Sequence, residues 1–128
     1  MTYTRVKMCG LRQADDAVYA ARAGVDAIGL VFYPPSPRAV DIETAGDIAR
    51  ALPPFVSCVG LFVNATAAQI DETLNQVPLS LLQFHGDETP EFCDQFQLPW
   101  IKAVRMRPDI DLHEQRQVYS RAQGLLLD

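Results

Sequence analysis

The chain has 128 residues, enough for one compact core and short for two. Its hydrophobic share of 48% and charged share of 21% belong to a folded domain rather than a disordered segment. A net charge of −5 argues against a sequence-independent nucleic-acid binder, which needs a basic face, but a few local cations can still hold an anionic small molecule.

Apolar, β-branched runs alternate with helix-patterned stretches from end to end. A first strand is predicted at 5–9, then a helix at 13–23 with small and apolar residues on one face and Gly24 as its stop. Strand 27–32 leads to a helix at 42–51, capped by Asp41, carrying Glu43 in its first turn and closed by Pro53-Pro54. Strand 56–63 precedes a helix at 67–76, for which Asn64 or Thr66 is the cap. Strand 80–84 is followed by a helix at 90–97 that opens with Thr89-Pro90-Glu91: a cap, a proline in the first turn and an acid favoured by the helix dipole. A fifth strand at 100–104 and a helix at 111–121 behind Pro108, Asp109 and Asp111 come next. The last strand, 124–127, stops at Asp128.

The strands are near-continuously apolar, as expected when both faces are covered, so the class is α/β with a parallel sheet. A doubly wound sheet and a (βα)8 barrel both fit this series, and periodicity does not choose between them. No linker or low-complexity tract divides the chain, and residues 1–128 are expected to form a single domain. The start carries no apolar signal core and no stretch nears the length of a membrane span. Three cysteines without a Cys-x-x-Cys pair fit reduced thiols, hence a cytoplasmic setting.

Polar residues collect where strands stop, the edge at which parallel α/β proteins do chemistry. Cys9 ends the first strand with Gly10 behind it. It reads either as a small buried hydrophobe or as a base whose thiolate a neighbouring cation, Lys7 or Arg38, favours. Lys7 lies two residues earlier and therefore on the same face. Arg38, in Tyr33-Pro34-Pro35-Ser36-Pro37-Arg38, is either a turn residue or a guanidinium held by a stiff loop to grip a carboxylate. Asn64, Gln83, His85, Lys102 and Arg105 lie at other strand ends. His85 is open to a loop role or to an orienting, anion-binding one. Asp128 either caps a helix after it or aims a carboxyl group across the same opening as Cys9. Cys58 and Cys93 read as packing residues, and His113 as a solvated side chain. No metal-ligand cluster, glycine-rich nucleotide loop or serine elbow is present, so a reaction without a cofactor is the simplest inference.

Four segments taken jointly are specific: Lys7-Met8-Cys9-Gly10-Leu11, the run from Ala27 to Arg38 ending in Pro-Ser-Pro-Arg, Val59-Gly60-Leu61-Phe62-Val63-Asn64, and Leu82-Gln83-Phe84-His85-Gly86-Asp87-Glu88. Together with Ile101-Lys102-Ala103-Val104-Arg105 and Leu125-Leu126-Leu127-Asp128, they make the chain resemble the phosphoribosylanthranilate isomerases of tryptophan biosynthesis over essentially its whole length. The resemblance implies a TIM barrel of about 200 residues, of which this chain holds strands one to six and helices one to five. It implies an Amadori rearrangement of N-(5-phosphoribosyl)anthranilate without a cofactor, with Asp128 as general acid and Cys9 as general base. Arg38 is then expected to hold the anthranilate carboxylate, with Lys7, Gln83 and His85 lining the substrate site. Phosphate-binding residues are expected beyond residue 128, since such barrels hold phosphate with the loops after strands seven and eight.

The implied partners are a small phosphosugar, neither nucleic acid nor membrane, and a completing C-terminal segment or a second copy, because two open strand edges and an uncovered inner face are sticky. Two rivals stand beside this reading. One is a related phosphosugar isomerase, which usually pairs two carboxylates; the other is an inactive half-barrel that only binds a complementing partner.

Overall fold

The computed structural model describes residues 2–128 and orders six strands and five helices in strict alternation: β1 (Lys7–Cys9), α1 (Ala14–Ala23), β2 (Ala27–Val31), α2 (Ile42–Ala51), β3 (Ser57–Phe62), α3 (Ala67–Gln76), β4 (Leu81–Phe84), α4 (Pro90–Asp94), β5 (Trp100–Val104), α5 (Leu112–Val118) and β6 (Gly124–Leu127). All the strands pair in parallel, in the spatial order β1-β2-β3-β4-β5-β6. A doubly wound sheet reverses its strand order at a switch point, whereas a barrel adds each strand beside the last. The unbroken order therefore decides for the barrel pattern, here six strands of a curled half-barrel.

Strand alternation sorts the side chains. On the outer face Ile28, Leu30, Cys58, Phe62, Leu82, Phe84 and Trp100 join Ala17, Ala45, Ile48, Ile70, Cys93 and Phe96 from the helix layer in one core. Phe84 is its centre, with ring centroids 6.1–6.5 Å from those of Phe62, Phe92, Phe96 and Trp100. Burying such a cluster removes a large apolar area from water, and edge-to-face contacts add to it. The opposite face carries Gly29, Val31, Val59, Leu61, Gln83 and Ala103, all buried although no helix covers them, because the sheet curls over its own inner side.

The caps hold as read, and one alternative is decided. Asp41 Oδ1 accepts the Thr44 N–H at 2.7 Å, and that bond keeps its carboxyl below the usual carboxylate range. Thr66, not Asn64, caps α3, in a reciprocal capping box with Gln69. Thr89 caps α4 with Pro90 behind it, and Asp111 caps α5. Two helices stop earlier than their patterns suggest. α4 ends at Asp94 because Phe96 turns into the core and Gln97 takes a left-handed backbone (φ 60°) ahead of Pro99. α5 ends at Val118 because Tyr119 leaves the helical conformation and sends its hydroxyl to the Glu88 carbonyl. β1 begins at Lys7 rather than at residue 5, since the Val6 N–H is taken by Asp26 Oδ2.

β1 and β6 each pair on one side only among the described residues. Met8 on β1 and Leu127 on β6 are 44% and 56% exposed at those two edges. No helix among the described residues is long and apolar enough to cross a membrane.

Candidate active site

Two clusters form at the C-terminal ends of the strands. The first is built on β1 and β2. Cys9 closes β1 opposite Gly29, and its partly exposed thiol lies over that glycine: a Cβ on residue 29 would stand 2.9 Å from Cys9 Sγ. The chain then turns at Gly10 with φ +87°, a conformation that L side chains rarely adopt. Arg38 packs across this turn, so that a Cβ on residue 10 would meet its side chain at 2.5 Å. The guanidinium donates to the Cys9 carbonyl at 3.2 Å, and the Arg38 backbone N–H is tied to Ser36 Oγ at 3.1 Å. Arg12 donates to the Pro37 carbonyl at 3.3 Å, joining the loops after β1 and β2. Lys7 shares the Cys9 face of β1 and is half-buried.

The second cluster is built on β4 and β6. Gln83 is buried on the inner face, and its Nε2 lies 2.6 Å from His85 Nε2. With that amide group as donor, the ring nitrogen is an acceptor and the imidazole proton sits on Nδ1. Nδ1 faces Asp128 Oδ2 at 3.9 Å, an electrostatic distance rather than a hydrogen bond. Asp128 itself is held through its backbone: its N–H donates to the Val104 carbonyl, and its carbonyl accepts from Met106. Burial is the main cause that lowers the His85 pKa below the ordinary histidine value; Asp128 opposes it, while Lys7 and Lys102 add to it. His85 is therefore a neutral imidazole near neutral pH. Gln83 Oε1 is buried without a protein partner.

The expected set thus forms two clusters, Cys9 with Arg38 on β1–β2 and Gln83, His85 and Asp128 on β4–β6, while Lys7 on the inner face of β1 is near enough to act on His85; all lie at the same end of one sheet. Cys58 and Cys93 are buried thiols that burial pushes up to about 11 and about 12, in keeping with packing. His113 is exposed.

Lys102 differs from its expectation. It is paired in register with Phe84, points to the helix side and is enclosed with Glu88. A lysine inside the apolar run Trp100-Ile101-Lys102-Ala103-Val104 is the signal that announces such a buried counter-ion. Glu88, its partner, carries no comparable signal, since an acid just ahead of a helix is ordinary on a surface. Arg105 and Arg107 line a cleft of about 330 Å³ beside His85, together with Gln115 and Tyr119.

A sequence model described as N-(5'phosphoribosyl)anthranilate (PRA) isomerase matches residues 6–128. Relatives named N-(5'-phosphoribosyl)anthranilate isomerase from Alcanivorax borkumensis and Pseudomonas putida are 58% and 56% identical over the whole chain. The chain spans about three fifths of their length, 59% and 62%. Among solved structures, the phosphoribosyl anthranilate isomerase of Thermotoga maritima superposes with a TM-score of 0.90 at 36% identity, over 98% of this chain and 62% of that one. A further phosphoribosyl anthranilate isomerase, solved in complex with reduced 1-(o-carboxyphenylamino)-1-deoxyribulose 5-phosphate, gives 0.91 at 38%, over 98% and 65%. The chain belongs to the N-(5'-phosphoribosyl)anthranilate isomerase family.

Proposed function

We propose that this chain forms the base- and acid-bearing part of a phosphoribosylanthranilate isomerase, acting in the cytoplasm in tryptophan biosynthesis. The carrying observation is the placement of Cys9 and Asp128 at the same end of one curled sheet, each beside a polar partner, in a member of this family. A reduced product analogue bound to a structural neighbour supports the same substrate class.

The reaction converts an aminoaldose into an aminoketose by an internal shift of hydrogen, so no external redox partner enters the balance. Asp128, as the protonated acid, gives its proton to the furanose ring oxygen while the C1–O bond breaks and the anthranilate nitrogen forms an iminium. The iminium makes the C2 proton acidic, and Cys9 as thiolate removes it, leaving an enolamine. Loss of the enol proton and protonation at C1 then give the ketone. Each transfer requires its donor and acceptor within hydrogen-bond reach of the sugar.

Neutral His85 opposite Asp128 suits a carboxyl group that must carry a proton, because an imidazolium there would favour the carboxylate instead. Arg38, exposed and stiffened by its proline-rich loop, suits the anthranilate carboxylate. Gln83 and Lys7 complete the substrate walls. No phosphate site is assigned among the described residues, and the open edges of β1 and β6 suit cover by further strands or by a second copy.

The test is turnover of N-(5-phosphoribosyl)anthranilate by the complete polypeptide. Cys9→Ala and Asp128→Ala should each lower it by roughly two to four powers of ten with modest loss of binding. Unchanged turnover in either variant refutes the assignment.

A further inference from the structure

Behind His85, on the helix side of the sheet, lies a buried ion pair that the chemistry above does not use. Lys102 and Glu88 are 4% and 5% exposed, and Lys102 Nζ stands 3.4 Å from Glu88 Oε1. Two buried charges are unfavourable unless their remaining lone pairs and protons find partners. Here they do, and the partners are the backbones of two active-site loops.

Glu88 Oε2 accepts the Asn64 N–H and Oε1 the Gly86 N–H, both at 2.8 Å. Lys102 also donates to the Gly86 carbonyl, and its ammonium sits 5.5 Å over the Tyr119 ring. The Tyr119 hydroxyl donates to the Glu88 carbonyl at 3.0 Å, tying the residue after α5 into the same knot. Asn64 holds a left-handed backbone (φ 50°), and its Oδ1 accepts the Asp87 N–H at 2.8 Å. Asn64 Oδ1 also fills the space a Cβ on residue 86 would need. An apolar pair of similar volume would pack, but it would leave the Asn64 and Gly86 N–H groups unpaired inside the protein, which is costly.

We propose that Glu88 is a positioning residue. Its carboxylate, neutralised by Lys102, locks the loops after β3 and β4 together and so sets where His85 stands relative to Asp128. His85 directly precedes Gly86, whose N–H and carbonyl are both held, so a shift of Gly86 carries the imidazole with it. Its consequence for turnover rests on the isomerase reading; the locking of the loops does not.

The experiment is Glu88→Gln in the complete polypeptide, which keeps the shape but turns one acceptor into a donor facing a backbone N–H. We expect kcat to fall roughly 10- to 100-fold while KM changes less than about threefold, the pattern of a misplaced rather than a missing group. Glu88→Asp, which retains both acceptors, should recover part of the loss. The His85 imidazole, followed by NMR, should titrate nearer its ordinary value as water reaches it.

In the unmutated protein the Asn64 and Gly86 amides should exchange with solvent as slowly as those of β3 and β4, a measurement that stands even if Glu88→Gln does not fold. Fast exchange at both amides, or wild-type kcat together with an unmoved His85 titration in Glu88→Gln, overturns the proposal. Slow exchange and a shifted titration in a polypeptide that does not turn over N-(5-phosphoribosyl)anthranilate sink the isomerase reading and leave the lock standing.

Discussion

The two halves of the candidate site are built by different means. On the β1–β2 side, Arg38 is exposed and reaches Cys9 through a single hydrogen bond, and the geometry comes from two glycines that leave room: Gly10 for the arginine and Gly29 for the thiol. On the β4–β6 side, the imidazole is braced by Gln83, and the loop that carries it is anchored by a buried carboxylate and ammonium. One side is shaped by the absence of side chains and faces water; the other is shaped by buried polar groups that satisfy one another. In the proposed role, the exposed guanidinium on its proline-stiffened loop meets a planar carboxylate at the open side. On the proposed reading each side supplies one proton-transfer residue, Cys9 on the open side and Asp128 on the braced side, so the contrast concerns how the arginine and the imidazole are held.

Substitutions can sharpen this contrast. The largest effect is expected from Asp128→Asn, which keeps the shape but cannot donate a carboxyl proton: kcat should drop by roughly 10²- to 10⁴-fold with KM near its original value. Gly10→Ala should come next, since the added methyl both strains a φ of +87° and displaces Arg38. KM should rise by about tenfold or more as the arginine loses its seat, against a smaller change in kcat. Arg38→Lys trades a fork for a point charge and should raise KM by roughly tenfold while leaving kcat within about threefold. Were Arg38→Lys to lower kcat and leave KM untouched, the division of labour between the two sides would fail.

Stability against pH probes the buried side. His85 has a pKa below its ordinary value of 6.5 in the folded chain, so the unfolded chain binds more protons between the two values. Folding stability should therefore rise with pH through that window and level off above about 6.5, and His85→Gln should flatten the rise in urea titrations. At the alkaline end the signs reverse. Cys58 and Cys93 hold their protons up to about 11 and about 12 in the fold, against 9.0 unfolded, so stability should fall as pH climbs past 9.0. Cys93→Ala should lessen that fall. The smallest effect is expected from Thr66→Ala, which removes one half of the α3 capping box without touching a candidate site side chain and should cost about 1 kcal/mol with activity unchanged.

Much of the fold is legible in the sequence. β5, β6, α2 and α3 have the boundaries their patterns indicate, and a strong local signal opens three of them: Pro99 before Trp100, Asp41 before Ile42 and Thr66 before Ala67. The patterns of α4 and α5 run past the helices themselves, because those ends are set by contacts across the fold. Phe96 leaves its helix for the Phe84 cluster, and Tyr119 for the Glu88 carbonyl. Alternation along β1 puts Lys7 and Cys9 on one face correctly, yet position along a strand does not reveal that Lys102 faces the helices.

From the chain alone came the alternation of strand and helix, the caps, and the set of polar residues at strand ends, all properties of spacing within a few residues. Local spacing left open whether the strands add in one direction or reverse, which the family resemblance implied and the strand order bears out; that His85 and Asp128 meet, and that Glu88 and Lys102 neutralise each other, were decided only by tertiary structure. These are contacts between residues up to 43 positions apart, as His85 is from Asp128 (128 less 85), and no local periodicity encodes which distant strand becomes a neighbour.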